Sequence, residues 1–460
     1  MKQDRAEEHR RRLCHLAEVH AAVGPDAPFH VVQDYLPGQV VYNLGEYPAR
    51  FSIAPSDYDV ELLEQFAAAG VELIQIHEDW NDSLRVLGAD KFTSHDPGGL
   101  RSFVDVAHGL GLKVLPYISS GFFDIRDPDF REEFYDPARS RLIELYFDYA
   151  RCSPASPEWR AYLLPRVERL LDDYGFDGLY NDVGYHAELE ELPLAEGQVR
   201  PAPWPHAAFE DLLGLLYDMA HRRGGVVKMH GGPPRISDRV KLYDYLWLGE
   251  GVKSLDRLRQ EAGQAPPYVV PCPDMSRAQV DSEDDLYLYT IPFMQFPLRV
   301  DGRPFTGERA SVPGIAYQPE ATCFWTRHCR AIHRYFQQHR DGPYTYGWWD
   351  SCPGQPGARE TWLTYLRLYR PMVAPGSRVW TGVRSGALFA EPPSRDLVTS
   401  LFVNSKVYLV AANFGPAPSV LRSNWLWQDR RSSRRGKEWT VAPRQMLLLQ
   451  RVADETTAAP

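Results

Sequence analysis

Cysteine is scarce. The 460 residues hold six, at positions 14, 152, 272, 323, 329 and 352, with no CxxC pair and no ladder of spacings. That argues against a disulfide framework and for a reducing compartment. Long apolar runs are missing too: no segment offers the ~18 consecutive apolar residues of a membrane helix. The opening "MKQDRAEEHRRRLCHLAEVHAAV" is too charged to contain the apolar stretch of a secretory leader. A soluble, cytoplasmic protein with no membrane partner is therefore expected. Positive charge is not in excess either, since 51 Lys and Arg stand against 61 Asp and Glu, a formal net charge of −10. Acids and bases are mixed along the chain, so nucleic acid is not expected as a partner. No GxSxG or GxGxxG occurs in the strand and helix context it needs, and Cys272 has no evident base beside it. Serine or cysteine nucleophiles and dinucleotide binding are disfavoured, and no cofactor is expected.

What the chain does have is apolar content, 44% hydrophobic and 12% aromatic. A chain of this length can bury one large core and one smaller one, so two domains are expected. Apolar runs that end in polar clusters alternate with helical periodicity. "GVELIQIHEDWND" (70–82) precedes a stretch in which Leu100, Phe103, Val104 and Ala107 recur at helical spacing, and "LKVLPYISSGFFD" (112–124) follows. "SPEWRAYLLPRVERLLDDYG" opens on Ser-Pro and stops at Gly175, and it runs into "FDGLYNDVGY" (176–185). A further helix, "AAFEDLLGLLYDMAHRRGG", precedes strands within 225–232, 242–252 and 267–276. Repeated β then α implies parallel pairing by right-handed crossovers, and a (β/α)8 barrel closes that many units more economically than a doubly wound open sheet. Two segments compete for the first strand, "FHVVQDYLP" and "QVVYNLGE". If the former, Asp34 or Tyr35 would join the pocket.

After residue 370 the runs become short, rich in β-branched and aromatic residues and broken by Gly, Pro, Ser and Asn, as in an antiparallel β-sandwich. The expected division is a helical extension (1–28) that is a remnant or a partner surface, a catalytic barrel (29–370), a C-terminal β-sandwich (371–452) and a frayed tail (453–460). Trp348, Trp349, Trp425 and Trp427 are candidates for contacts in a homo-oligomer or for a sugar platform, with core packing the commoner role for such residues.

Barrel enzymes carry their sites where the strands end. The strand ends here supply His77, Glu78, Asp79, Trp80, Asn81 and Asp82; Tyr117, Ser119 and Ser120; Asn181, Asp182 and Tyr185; Lys228 and His230; Trp247 and Glu250; and Asp274. Aromatic faces beside carboxylates suit a sugar, which stacks one apolar face and hydrogen-bonds through its hydroxyls. Glycoside hydrolysis needs two carboxyl groups flanking one bond. Asp182 and Glu250, two strands apart, are the natural pair. The plainer alternatives are a helix cap or turn acid for Asp182 and a loop acid for Glu250. A metal site on His77, Glu78, Asp79 and Asp82 is disfavoured, because neighbouring strand residues point to opposite faces and no HxH or HExxH spacing is present. His108 and His221 fall inside helical patterns, where a structural role is the expectation.

In their order these strand ends resemble the clan-D glycoside hydrolases, the α-galactosidase and α-N-acetylgalactosaminidase group, and more distantly the α-glucosidases. "GVELIQIHEDW" is similar to that group's second-strand motif, and "GGLRSFVDVAHGLGLKVLPYISSG" to its next helix and strand. "GFDGLYNDVGY" resembles its nucleophile strand, the fourth. "PCPDMS" and "EDDLYLYTIPFMQFPLRV" are similar to its later strands, so the resemblance covers about residues 70 to 300. It implies a retaining mechanism, with Asp182 attacking the anomeric carbon and Glu250 at the sixth strand serving as acid and base. Glu250 stands where the group has Asp, His77 and Glu78 replace its paired sugar-binding acids, Tyr180 replaces its lysine, and Lys228, Met229 and His230 replace its Cys-Glu-Trp. Galactose specificity does not carry over. The reading is a glycosidase for an α-linked sugar or glycoside, with a carbohydrate substrate. A non-catalytic carbohydrate-binding barrel and a metal-assisted hydrolase or lyase are the alternatives.

Overall fold

The computed structural model describes residues 2–44, 52–77, 80–81, 92–125, 127–136, 141–144, 147–182, 206–230, 241–248, 254–263, 269–273, 279–280, 284–303, 344–345 and 358–453. By proximity along the backbone the chain divides into two units. One comprises Gln39–Gln279 and Leu298–Pro356, the other Met1–Gly38, Val280–Pro297 and Gly357–Pro460.

The first unit is built on eight parallel strands: β1 (Gln39–Asn43), β2 (Leu73–Ile76), β3 (Lys113–Ser119), β4 (Gly178–Asp182), β5 (Val226–His230), β6 (Tyr245–Leu248), β7 (Val270–Pro273) and β8 (Arg299–Gly302). Their order in the sheet is 7-6-5-4-3-2-1-8, every pair parallel, so β8 pairs with β1. Leu298 N–H donates to the Pro273 carbonyl at 3.1 Å, bridging β8 and β7, the two ends of that order. This is the TIM barrel anticipated from the alternating pattern. The first strand is 39–43. Its rival contributes His30–Val31 to the other unit, where it pairs with Val379 and Arg378, so Asp34 and Tyr35 belong to that unit and not to the barrel.

Local chemistry explains where the helices fall. α2 (Asp57–Ala69) opens on a reciprocal capping box between Ser56 and Asp59 and ends at Gly70 in the left-handed region. α3 (Pro97–Gly109) is capped by Asp96 and buries Leu100, Phe103, Val104 and Ala107, the residues at helical spacing. α4 (Pro157–Tyr174) starts at Ser156, which accepts from Trp159 N, and stops at Gly175. α5 (His206–His221) and α6 (Leu255–Ala262) follow.

One device recurs at strand starts. Asp177, just before β4, accepts the Val114 N–H of β3 and the His108 ring of α3, each at 2.8 Å. Asp244, just before β6, accepts the Val227 N–H of β5 at 2.8 Å and the His221 ring of α5 at 2.9 Å. Both helix histidines therefore take the structural role expected of them. A small antiparallel sheet, Phe122–Asp124, Phe147–Arg151 and Leu142–Glu144, is inserted between β3 and α4. The sequence pattern does not announce it, because Phe122–Asp124 reads as the tail of β3.

The second unit is a seven-stranded antiparallel sheet. Its order is His30–Val31, β9 (Arg378–Thr381), β10 (Leu397–Val403), β11 (Val407–Asn413), β14 (Met446–Arg451), β12 (Ser419–Asp429) and β13 (Arg435–Val441). α1 (Lys2–Val23) buries Leu16 and Val19 against Trp380, Leu401, Leu409, Trp427, Trp439 and Leu449 of that sheet. The charged opening helix is thus part of this core: its polar face hides a narrow apolar stripe. Trp427 is fully buried and Trp425 packs against the same cluster, while Trp348 and Trp349 lie outside the described residues. Among the described residues no helix is long and apolar enough to cross a membrane.

Candidate active site

Strand register gathers the candidates at the carboxyl end of the barrel. Tyr117 of β3 pairs with Tyr180 of β4, which pairs with Lys228 of β5. One residue pair higher, Ser119 faces Asp182, Asp182 faces His230, and His230 faces Trp247 of β6. Side chains two apart on a strand share a face, so Tyr180 and Asp182 point the same way, as do Lys228 and His230.

Asp182 is the centre of this group. The Tyr117 hydroxyl donates to its Oδ2. His230 Nδ1 lies 3.6 Å from its Oδ1, with the two side chains 16% and 18% exposed. The carboxylate is thus held by two neighbouring strands and open to solvent through a small fraction of its surface. A band of rings surrounds it. Tyr180 lies 5.1 Å from Trp247 and 6.1 Å from His230 between centroids, and His230 lies 5.4 Å from Trp247. His77, directly after β2, meets Tyr117 edge to face at 5.1 Å and Trp247 at 6.4 Å. Beneath them the fully buried Lys228 places its ammonium 5.9 Å from the Tyr180 ring and 5.4 Å from the Trp247 ring, a distance at which a cation is attracted to a ring face.

The remaining candidates are placed differently. Trp80 is fully buried and donates its indole N–H to the Tyr117 carbonyl at 3.0 Å, pinning the strand that carries Tyr117. Asn181 alternates with Asp182 and so lies on the other strand face, where its Oδ1 accepts the Ser120 N–H at 3.1 Å. Cys272 on β7 donates to Gln39 Oε1 at 3.3 Å, and burial pushes its thiol up to about 11 against the lowering pull of Lys228 and Gln39. A protonated, buried thiol is a poor nucleophile. Glu78, Asp79, Asp82, Tyr185, Glu250 and Asp274 lie outside the described residues. Among the described residues no cluster of three or more His, Cys, Asp or Glu could hold a metal ion.

Tyr180 entered the sequence reading only as the replacement for the resembled group's lysine and not as a site candidate, yet its ring lies 5.3 Å from that of Tyr117 and 5.1 Å from that of Trp247. The signal that could have found it is period two: a residue two before Asp182 on the same strand must share its face.

No family model matches the sequence, and no curated protein is significantly similar to it. Solved structures are similar. A maltogenic α-amylase from Thermotoga neapolitana matches with a TM-score of 0.54 at 13% identity, over 91% of this chain and 100% of its own. A trehalose-6-phosphate hydrolase from Bacillus licheniformis matches at 0.55 and 10% identity, over 91% and 100%. An α-amylase from Lactobacillus plantarum matches at 0.54 and 12%, over 91% and 99%. At such identities the likeness establishes architecture: the fold is a TIM barrel with a C-terminal antiparallel β-domain, shared with these three structures. Two are named as α-amylases and one as a trehalose-6-phosphate hydrolase, and none of these names supports the clan-D grouping that the strand-end motifs resemble.

Proposed function

We propose that the protein is a glycoside hydrolase acting on an α-linked sugar or glycoside, with Asp182 as nucleophile of a retaining reaction. The observation that carries the reading is the position of Asp182: a carboxylate at the end of β4, held by Tyr117 and ringed by aromatic side chains. The likeness to two α-amylases and a trehalose-6-phosphate hydrolase supports it, since all three are named for work on glycosides.

Tyr117 and His230 divide the labour of the two carboxylate oxygens. Oδ2 accepts from the Tyr117 hydroxyl and Oδ1 faces the His230 imidazole at 3.6 Å; in this reading Oδ1 is the oxygen that attacks the anomeric carbon. The Tyr117 bond then supports Oδ2 as it becomes the carbonyl oxygen of the glycosyl ester, and the same bond stabilises the carboxylate when water expels it. Tyr180 and Trp247 are fully buried and back the carboxylate from within the protein rather than meeting the sugar. Glu250 is proposed as the acid that protonates the leaving oxygen; retention calls for ~5–5.5 Å between the two carboxyl groups.

A panel of aryl α- and β-glycosides assayed against wild type and Asp182→Ala tests this. The variant should lose roughly 10³-fold or more in kcat, and a 2-fluoro glycosyl fluoride of the preferred sugar should label the peptide containing Asp182 in the wild type. Equal turnover by both proteins would remove Asp182 from the chemistry, and binding of sugars without turnover would favour a carbohydrate-binding barrel.

A further inference from the structure

Resting on the reading of Asp182 as nucleophile, we propose that His230 is a positioning residue that acts through it, holding the carboxylate ionised and oriented at acid pH. Three observations carry this. Asp182 and His230 are register partners on adjacent parallel strands, so the backbone itself fixes their spacing. Their facing atoms, Oδ1 and Nδ1, stand 3.6 Å apart, an ion-pair distance, while the Tyr117 hydroxyl donates to the other oxygen, Oδ2. The imidazole also packs beside the rings of Tyr180 and Trp247, which limits its rotation.

The groups facing His230 from the elements packed on it are few among the described residues. β4 contributes Asp182 and the Tyr180 phenol, β6 contributes Trp247 and Tyr245, and its own strand contributes Lys228 one layer below, turned to the Tyr180 and Trp247 rings. Among the described residues Asp182 is the near anion. An opposite charge within ~4–6 Å favours the charged form of both partners. The protonated imidazole therefore keeps Asp182 ionised further into acid, and Asp182 keeps the imidazole protonated further towards neutrality.

The pair is tested by titrating the histidine side-chain resonances of the full-length protein labelled in its histidines, the His230 signal being identified by its loss in His230→Gln. In wild type His230 should titrate about one pH unit or more above its value in Asp182→Asn. Identical titration in the two proteins would overturn the proposal. The pH profile of kcat/KM supplies a readout that a purely structural histidine would not move: His230→Gln should shift the acid limb to higher pH, and an unmoved limb also overturns the role. If wild type turns over no glycoside, the glycosidase reading and the catalytic half of the proposal fall together, while the titration still decides whether the pair is coupled.

Discussion

Arg303, the residue after β8, grips Asp59 on α2 from 244 positions away in the chain, with Nε 3.0 and 3.1 Å from the two carboxylate oxygens and Nη2 2.9 Å from Oδ2. Nη1 donates to the Leu44 carbonyl at 3.0 Å, and the Tyr42 hydroxyl donates to Asp59 Oδ1 at 2.7 Å. The end of β8, the end of β1 and the start of α2 are thereby tied at one buried carboxylate. Asp59 also closes the capping box of α2, so one side chain serves both a local and a long-range contact.

Asp59→Ala leaves the Arg303 guanidinium and the Tyr42 hydroxyl without their shared acceptor. The expected loss is ~3 kcal/mol in urea unfolding, at the low end for a broken buried pair because Arg303 is partly exposed and keeps its carbonyl partners. Burial raises the Asp59 pKa, but the bonds from Arg303, Tyr42 and Ser56 outweigh it and hold the group below the ordinary 3.8. A depressed folded value means stability that is present above the unfolded value and is lost as pH falls through the folded one. The stability gap between wild type and Asp59→Asn should accordingly be widest above about pH 4 and narrow below it. A gap that widens on acidification would refute the ion-pair account.

Gly178 begins the strand that delivers Asp182, and it does so at φ +133 with its α-carbon against β5: an added Cβ would lie 1.8 Å from the Val226 carbonyl oxygen. Gly178→Ala must move backbone and should cost ~3 kcal/mol or more, or leave no soluble protein. Gly214, within α5, meets nothing nearer than Leu242 at 3.8 Å. Gly214→Ala should raise stability by about 0.5–1 kcal/mol. Thermal melting of the two variants reads the opposite signs, and equal effects would sink the packing argument.

Cys272 should resist alkylation in the folded protein. With its thiol near 11, about one molecule in a thousand is thiolate at pH 8, whereas Cys14 is exposed. Iodoacetamide followed by peptide mass spectrometry should label Cys14 first, and Cys272 only in denaturant. Prompt native labelling of Cys272 would contradict its burial beside Gln39.

Several features were legible because their causes are local. Ser156 and Gly175 bound α4 through cap chemistry that spans four residues, and Leu100, Phe103, Val104 and Ala107 mark the buried face of α3 by spacing alone. The first barrel strand was not legible. "FHVV" and "QVVY" are equally good strands in isolation, and what separates them is which exposed sheet edge each reaches, β2 and β8 for Gln39–Asn43 and β9 for His30–Val31. The role of α1 was hidden similarly, since Leu16 and Val19 are a thin stripe whose partner strands lie some 360 or more residues on.

From the sequence alone came the repeating β and α units, the barrel they close, and Asp182 at the end of an apolar strand, because hydrophobic period, caps and strand-end polarity act within a few residues. Register came only from the folded sheet. It decided that Tyr117 and His230 take opposite oxygens of Asp182, that Tyr180 stands among the rings, and that Trp80 and Asn181 turn to supporting bonds. The reason is geometric: hydrogen-bonded parallel strands set each residue beside one partner and no other, and sliding a strand by a single residue would turn its side chains to the opposite face of the sheet.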